Sequence, residues 1–204
     1  MHKNQRRIYF VVPLIVAFVF AGPVLALELG DTAPKIDVEM KNVDGNQLAI
    51  QDIKGEKGTL VIFTCNSCPW VKAWEDRIAE IGNTFQHKEI GVIAINSNDP
   101  DRNSEDSFSM MQQRAEKKGF TFPYVMDATS DIARAFGATR TPEAFLFNSE
   151  GKLVYHGTID DNARNPEEVE ETYLKDALNA VVAGNEVPTP ETKALGCTIK
   201  FRDA

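Results

Sequence analysis

Ile36, Val38 and Met40 alternate with polar neighbours, the two-residue period of a strand with one covered face. Asp44-Gly45 supplies a turn, and Leu48-Ala49-Ile50 closes the predicted hairpin. Leu60-Val61-Ile62-Phe63 and Val92-Ile93-Ala94-Ile95 are short unbroken apolar runs, as expected of strands covered on both faces. Between them Val71, Trp74, Ile78 and Ile81 recur at helical spacing, with Pro69 suited to a first helical turn. Phe108, Met111 and Ala115 predict a second helix, starting near Ser104 and ended by Gly119. Ser130 reads as the cap of a short helix that stops at Phe136-Gly137. Residues 144–147 and 153–155 flank Asn148-Ser149-Glu150-Gly151 as a hairpin. Asn165, with Pro166 next and Glu168 three on, reads as a helix start. Val169, Tyr173, Ala177 and Val181 would form that helix's apolar stripe, ended by Gly184, and the acidic run from Glu167 to Glu171 would suit its first turn. Two β-α-β steps make the fold class α/β: a parallel core extended by antiparallel strands, with a hairpin added at the N-terminal side.

The N-terminal residues are of another kind. Lys3, Arg6 and Arg7 precede a charge-free apolar run from Ile8, and Val24-Leu25-Ala26 offers small residues where a signal peptidase cuts. Residues 1–26 are expected to be a cleaved signal peptide, 27–185 a single domain, and 186–204 a tail carrying Cys197. The competing reading is an uncleaved anchor: residues 8–27 are 20 uncharged residues, and about 20 can span a bilayer. Pro13, Gly22 and Pro23 interrupt that span. A membrane enters only through this segment, and the remainder is expected to be exported, periplasmic or secreted, where disulfides persist. Of 204 residues, 22 are Lys or Arg and 30 are Asp or Glu, a formal net charge of −8, which argues against a nucleic-acid partner. Three cysteines are too few for a disulfide scaffold, and the odd count leaves at least one thiol without a partner in the chain.

Cys65-Asn66-Ser67-Cys68 directly follows the first buried run and opens the first helix. Unpaired N–H groups and the helix dipole stabilise a thiolate there, and two intervening residues let one sulfur reach the other. Cys65 is read as the exposed nucleophile and Cys68, one turn in, as the resolving partner. Zinc would need four ligands, and no second paired motif supplies them. An inert structural disulfide is a further alternative, and Cys65, Cys68 and His156 together would suit copper. Thr141-Pro142 stands just before the apolar run 144–147. Besides a simple loop proline, it reads as a cis proline beside the dithiol that leaves the Thr141 backbone free to pair with an extended substrate.

Gly30-Asp31-x-Ala33-Pro34, Asp44-Gly45 and Gly55-Glu56-Lys57-Gly58 resemble the amino-terminal part of redoxins. The stretch from Phe63-Thr64-Cys65 through Pro69-Trp70-Val71-Lys72 to Glu75-Asp76-Arg77 is similar to a peroxiredoxin-like (AhpC/TSA-like) group with a thioredoxin-type CxxC, as is Gly196-Cys197-Thr198-Ile199-Lys200. The chain thus resembles the exported redoxin branch of the thioredoxin superfamily over about residues 29–201. The resemblance implies a thioredoxin fold, a central mixed sheet flanked by helices, with Cys65 and Cys68 redox-active and Pro142 in the cis position. It departs from thioredoxin in Thr64 before the first cysteine, in Asn66-Ser67 between the two, and in the lack of a carboxylate on residues 59–64.

The function expected is thiol–disulfide exchange with a protein disulfide substrate or reductant partner, needing no metal or organic cofactor. A thiol peroxidase acting on peroxide is the alternative, with Arg140 steadying the thiolate. It is weakened because the Thr or Ser that peroxiredoxins keep three residues before their cysteine is Cys65 ahead of Cys68 and Ile62 ahead of Cys65. A copper-binding or structural module is the third. Trp70 is assigned to the site entrance and Trp74 to the core. His87 is expected in solvent and His156 in a structural role. Cys197 is read as a buried free thiol or one forming a mixed disulfide with Cys65.

Overall fold

The computed structural model describes residues 26–203. The expected signal segment, Ala26 apart, lies outside the described residues. In chain order the elements are β1 (Met40–Asn42), β2 (Gln47–Leu48), β3 (Gly58–Thr64), α1 (Pro69–Gln86), β4 (Ile90–Asn96), α2 (Phe108–Lys118), β5 (Tyr124–Met126), α3 (Asp131–Phe136), β6 (Arg140–Thr141), β7 (Glu143–Asn148), β8 (Leu153–Gly157), α4 (Tyr173–Ala183) and β9 (Cys197–Thr198). Seven strands form one sheet in the order β2-β1-β5-β4-β3-β7-β8, and β6 and β9 form a separate two-stranded ribbon. β3, β4 and β5 run parallel, while β7, β8 and the β1–β2 hairpin pair antiparallel. This is the mixed sheet expected, with its N-terminal hairpin.

The strand period explains the layers. Leu60 and Ile62 of β3, Val92 and Ala94 of β4, and Ala144 and Leu146 of β7 point to one face. There they meet Trp74 and Ile78 of α1, Met111 of α2, and Leu174 and Leu178 of α4. Val61, Phe63, Ile93, Ile95, Phe145 and Phe147 point to the other face, against Ile132 and Phe136 of α3. Phe63, Phe136 and Phe145 pack edge to face there, with ring centroids 5.2–5.7 Å apart. Each such side chain contributes about 1.5–3 kcal/mol by leaving water, so the central strands are the rigid base on which the site rests.

The differences from expectation have local causes. β5 is too short to show a period, yet it adds a third parallel strand. Ile36 and Val38 lie outside any strand, and a 3₁₀ turn, Ile50–Ile53, follows the hairpin. Ser130 is the N-cap residue of α3, but its side chain makes no capping bond. Its hydroxyl donates to the Ser97 carbonyl, and Asp127 Oδ2 accepts from the N–H groups of Ile132 and Ala133 instead. The stretch after Asn165 forms only a 3₁₀ turn, Pro166–Glu168, and α4 starts at Tyr173. Asn165 does accept from Glu167 N–H, but the Asp161 carboxylate takes the Glu170 N–H that a longer helix would need.

Candidate active site at the carboxyl end of the sheet

The carboxyl ends of parallel strands, where helices begin, are the usual place for ligands in open α/β sheets. Here the turn from β3 into α1 carries Cys65 and Cys68. Helix α1 begins at Pro69, so Cys68 is its N-cap residue and Cys65 lies before the helix. The reason is Asp106, a fully buried carboxylate from the segment between β4 and α2. Its Oδ1 accepts from the backbone N–H groups of Asn66 (2.7 Å) and Ser67 (3.2 Å). Its Oδ2 accepts from the Ser67 hydroxyl (2.6 Å) and the Asn98 amide (3.0 Å). The carboxylate thereby holds the intervening pair as a loop. Tyr124 donates to Asn66 Oδ1 (3.0 Å) and Asn66 donates to the Glu105 carbonyl (2.7 Å). Burial lifts the Tyr124 hydroxyl well above its usual range, which keeps it a donor. Arg114 grips both oxygens of buried Glu75 and reaches the Asn66 carbonyl. The carboxylate missing from β3 is therefore supplied from elsewhere in the fold.

Three free sulfurs meet above this loop. Cys65 and Cys68 are both about 2% exposed, and Cys197 is half-buried. Cys65 is therefore not the exposed thiol that its position in the sequence suggests. Cys65 Sγ lies 3.2 Å from Thr141 Oγ1, and Cys68 Sγ lies 3.2 Å from the Thr141 carbonyl oxygen and 2.6 Å from Cys197 Sγ. The hydrogen bond shared with Cys68, burial and the Asp106 charge push the Cys65 thiol up. The same hydrogen bond lowers Cys68, aided by Cys197 and the N–H of Val71 in the first helical turn, to about 5. Burial and the neighbouring Cys68 raise Cys197 to about 11. Of the three sulfurs, Cys68 at the helix N-terminus is the one whose acidity its neighbours raise.

Thr141-Pro142 faces the sulfurs and is cis. The Thr141 backbone is not free: it pairs with Cys197 in the β6–β9 ribbon, while Arg140 pairs with Thr198. Exposed Arg140 points its guanidinium at the Gly196 carbonyl and Thr198 hydroxyl (both 3.3 Å), so it holds the tail. Beneath the turn, Glu143 Oε2 accepts from the N–H groups of Thr139 and Arg140 (both 2.8 Å), and Oε1 meets His156 Nε2 at 2.8 Å. His156 stacks on Phe145. Among the described residues no three His, Cys, Asp or Glu side chains form a metal-holding group, so the copper grouping of Cys65, Cys68 and His156 is not assembled.

The structure thus brings together Thr64, Cys65, Cys68, Trp70, Thr141, Pro142 and Cys197. Thr64 is buried at the end of β3, and half-buried Trp70 packs beside the sulfurs with Arg164 over its ring. Trp74 is core, its indole N–H on Asp160 at 2.6 Å, and His87 is exposed at the end of α1. Sequence reasoning missed Asp106, Asn98, Glu143 and Tyr124. Only the Asn98 and Asp106 side chains, polar within a segment between two apolar elements, could have hinted at them.

The chain is similar to known proteins in sequence and in fold. Thiol-disulfide oxidoreductase ResA of Geobacillus thermodenitrificans (strain NG80-2) is 26% identical over 170 residues, covering 78% of this chain and 92% of that protein. The crystal structure of an uncharacterized conserved protein from Geobacillus kaustophilus superposes with a TM-score of 0.80 at 35% identity, covering 87% of this chain and 94% of the other. The solution structure of a thioredoxin-like protein in the oxidized form gives a TM-score of 0.63 at 20% identity, covering 78% and 100%, a likeness of fold: the thioredoxin fold. The family model described as the AhpC/TSA family matches residues 29–156. With that match spanning more than half of its length, the chain belongs to the AhpC/TSA family.

Proposed function

We propose that the protein is an oxidoreductase acting on disulfides by thiol–disulfide exchange, exported by its N-terminal segment and working on protein partners. The observation that carries this reading is the clustering of Cys65 and Cys68 at a helix N-terminus against Thr141-Pro142, with the Cys68 pKa lowered by its neighbours. Relatives named thiol-disulfide oxidoreductase support it. The Cys68 thiolate attacks one sulfur of the substrate disulfide; a mixed disulfide forms and the other substrate sulfur leaves as thiolate, taking a proton from solvent. Cys65 then loses its proton and attacks Cys68 Sγ. The second substrate thiolate departs, and the Cys65–Cys68 disulfide holds the two electrons' worth of oxidation taken from the substrate. The low pKa of Cys68 also makes it the better leaving group when a reductant reopens that disulfide.

The test is reduction of insulin disulfides by the purified protein with dithiothreitol as electron source. Turnover above the uncatalysed rate is expected, lost in Cys68→Ser. Absent turnover, together with thiol-dependent consumption of hydrogen peroxide, would replace this reading by a peroxidase.

A further inference from the structure

We propose that Cys197 is a second disulfide partner of Cys68, carried on a strand of the protein's own tail that occupies the edge beside Pro142 where an extended substrate would pair. This deepens the disulfide-exchange reading and rests on it.

Two independent observations carry the inference. The first is proximity: Cys197 Sγ lies 2.6 Å from Cys68 Sγ although 129 residues separate them in sequence. The sulfur it meets is not Cys65, the partner expected from the sequence. The second is how the tail is seated. β9 pairs antiparallel with β6, Cys197 opposite Thr141. Ile199 N–H donates to the Thr139 carbonyl at 3.0 Å, and Lys200 N–H to Asn98 Oδ1 at 2.8 Å, so the strand is fixed directly after Cys197. Gly196 lies so close to the turn that a Cβ there would sit 2.2 Å from the Thr141 carbonyl oxygen. A side chain of any size would lift the strand; glycine lets a backbone lie flat against the residue that faces both catalytic sulfurs. The tail therefore presents a cysteine to Cys68 as an extended peptide substrate would.

The step is a redox-neutral exchange within the chain. Starting from the Cys65–Cys68 disulfide, Cys197 gives up its proton and its thiolate attacks Cys68 Sγ. The Cys68–Cys197 bond forms as the Cys65–Cys68 bond breaks, and Cys65 leaves as a thiolate that takes up the proton. Cys65 is the favoured proton acceptor because its buried site opposes the charged form. The product closes the tail over the site by a covalent bond. It also transfers the oxidised state to Cys197, the half-buried sulfur of the three and the one an incoming dithiol reaches first. Attack on Cys197 would then expel the Cys68 thiolate.

The experiment uses full-length protein equilibrated in glutathione redox buffers, acid-quenched, alkylated and mapped by non-reducing peptide mass spectrometry. The expected result is a Cys68–Cys197 linked peptide in the oxidised samples, with Cys65 alkylated. Cys65→Ser, oxidised in the same way, should lose both remaining thiols to one intramolecular bond. Only Cys65–Cys68 linkage, with Cys197 alkylated throughout, would overturn the inference and leave the exchange function standing. No linkage among the three sulfurs at any potential would overturn both. Insulin turnover separates the cases a second way: Cys65→Ser keeps a resolving thiol in Cys197, and so a mixed disulfide on Cys68 should persist only in Cys65→Ser/Cys197→Ser.

Discussion

Two irregular segments meet at the sulfurs, and they are held by opposite means. The turn 65–68 is gathered chiefly on one buried carboxylate, Asp106, which accepts from two backbone N–H groups, a hydroxyl and an amide, with Tyr124, Glu105 and Arg114 adding contacts to Asn66. The tail 196–202 is held by many dispersed bonds: Thr139, Asn98 and Ser130 each take one backbone group, and Arg140 and Arg202 add side-chain contacts. A concentrated support fails through one substitution, and it fails along with its surroundings, because buried donors are then left without acceptors. A distributed support made partly at the surface yields piecewise. Loss of a single tail contact should therefore cost less than loss of Asp106.

The comparison is broken most strongly at its concentrated side. Asp106→Ala should cost ~3 kcal/mol, read as a fall in Tm of roughly 6–12 °C. A fall under about 2 °C would show that the turn has other support. On the tail side, Gly196→Ala should lift β9 at a cost of only about 1 kcal/mol, while Cys68 alkylation by iodoacetamide accelerates about tenfold or more as its cover is displaced. Equal losses of stability from the two substitutions would erase the contrast.

The smallest effect is on the pH profile. Alkylation follows the thiolate fraction, so with Gly196 intact the slow Cys68 rate should rise with pH to a midpoint near pH 5 and then level off. The folded pKa lies below the usual thiol value because neighbours favour the charged form, so removing a neighbour moves the midpoint up. Cys197→Ala removes one hydrogen bond to Cys68 and should shift the midpoint toward higher pH. An unmoved midpoint would mean that Cys197 is only a spectator of the Cys68 charge.

What could be read from the sequence follows from range. β3, α1, β4 and the β7–β8 hairpin were legible because their apolar periods are written in consecutive residues. Cys65 and Cys68 were legible because their strand-to-helix context is equally local. Asp106 was not: the sequence places it in the first turn of a helix starting near Ser104, whereas residues 104–106 form a 3₁₀ turn ahead of α2 and only the docking of this segment under the 65–68 turn buries its carboxylate. The helix expected after Asn165 failed for a related reason, since Asp161, four residues before that cap, captured the needed Glu170 N–H. The same distant carboxylate accepts from the Asn66 and Ser67 N–H groups just before α1 begins at Pro69, a support that the CxxC spacing does not announce.

Glu143 joins two geometries that need not have been linked. One oxygen fixes the backbone of Thr139 and Arg140 just before the turn that faces the sulfurs, while the other fixes His156 across the final hairpin, where Phe145 and His156 are partners. A slip of one residue between β7 and β8 would carry His156 to the opposite side of the sheet. The hairpin's alignment is thereby indexed against the mouth of the reaction centre: a misaligned hairpin loses its histidine anchor and unsettles that mouth in a single stroke.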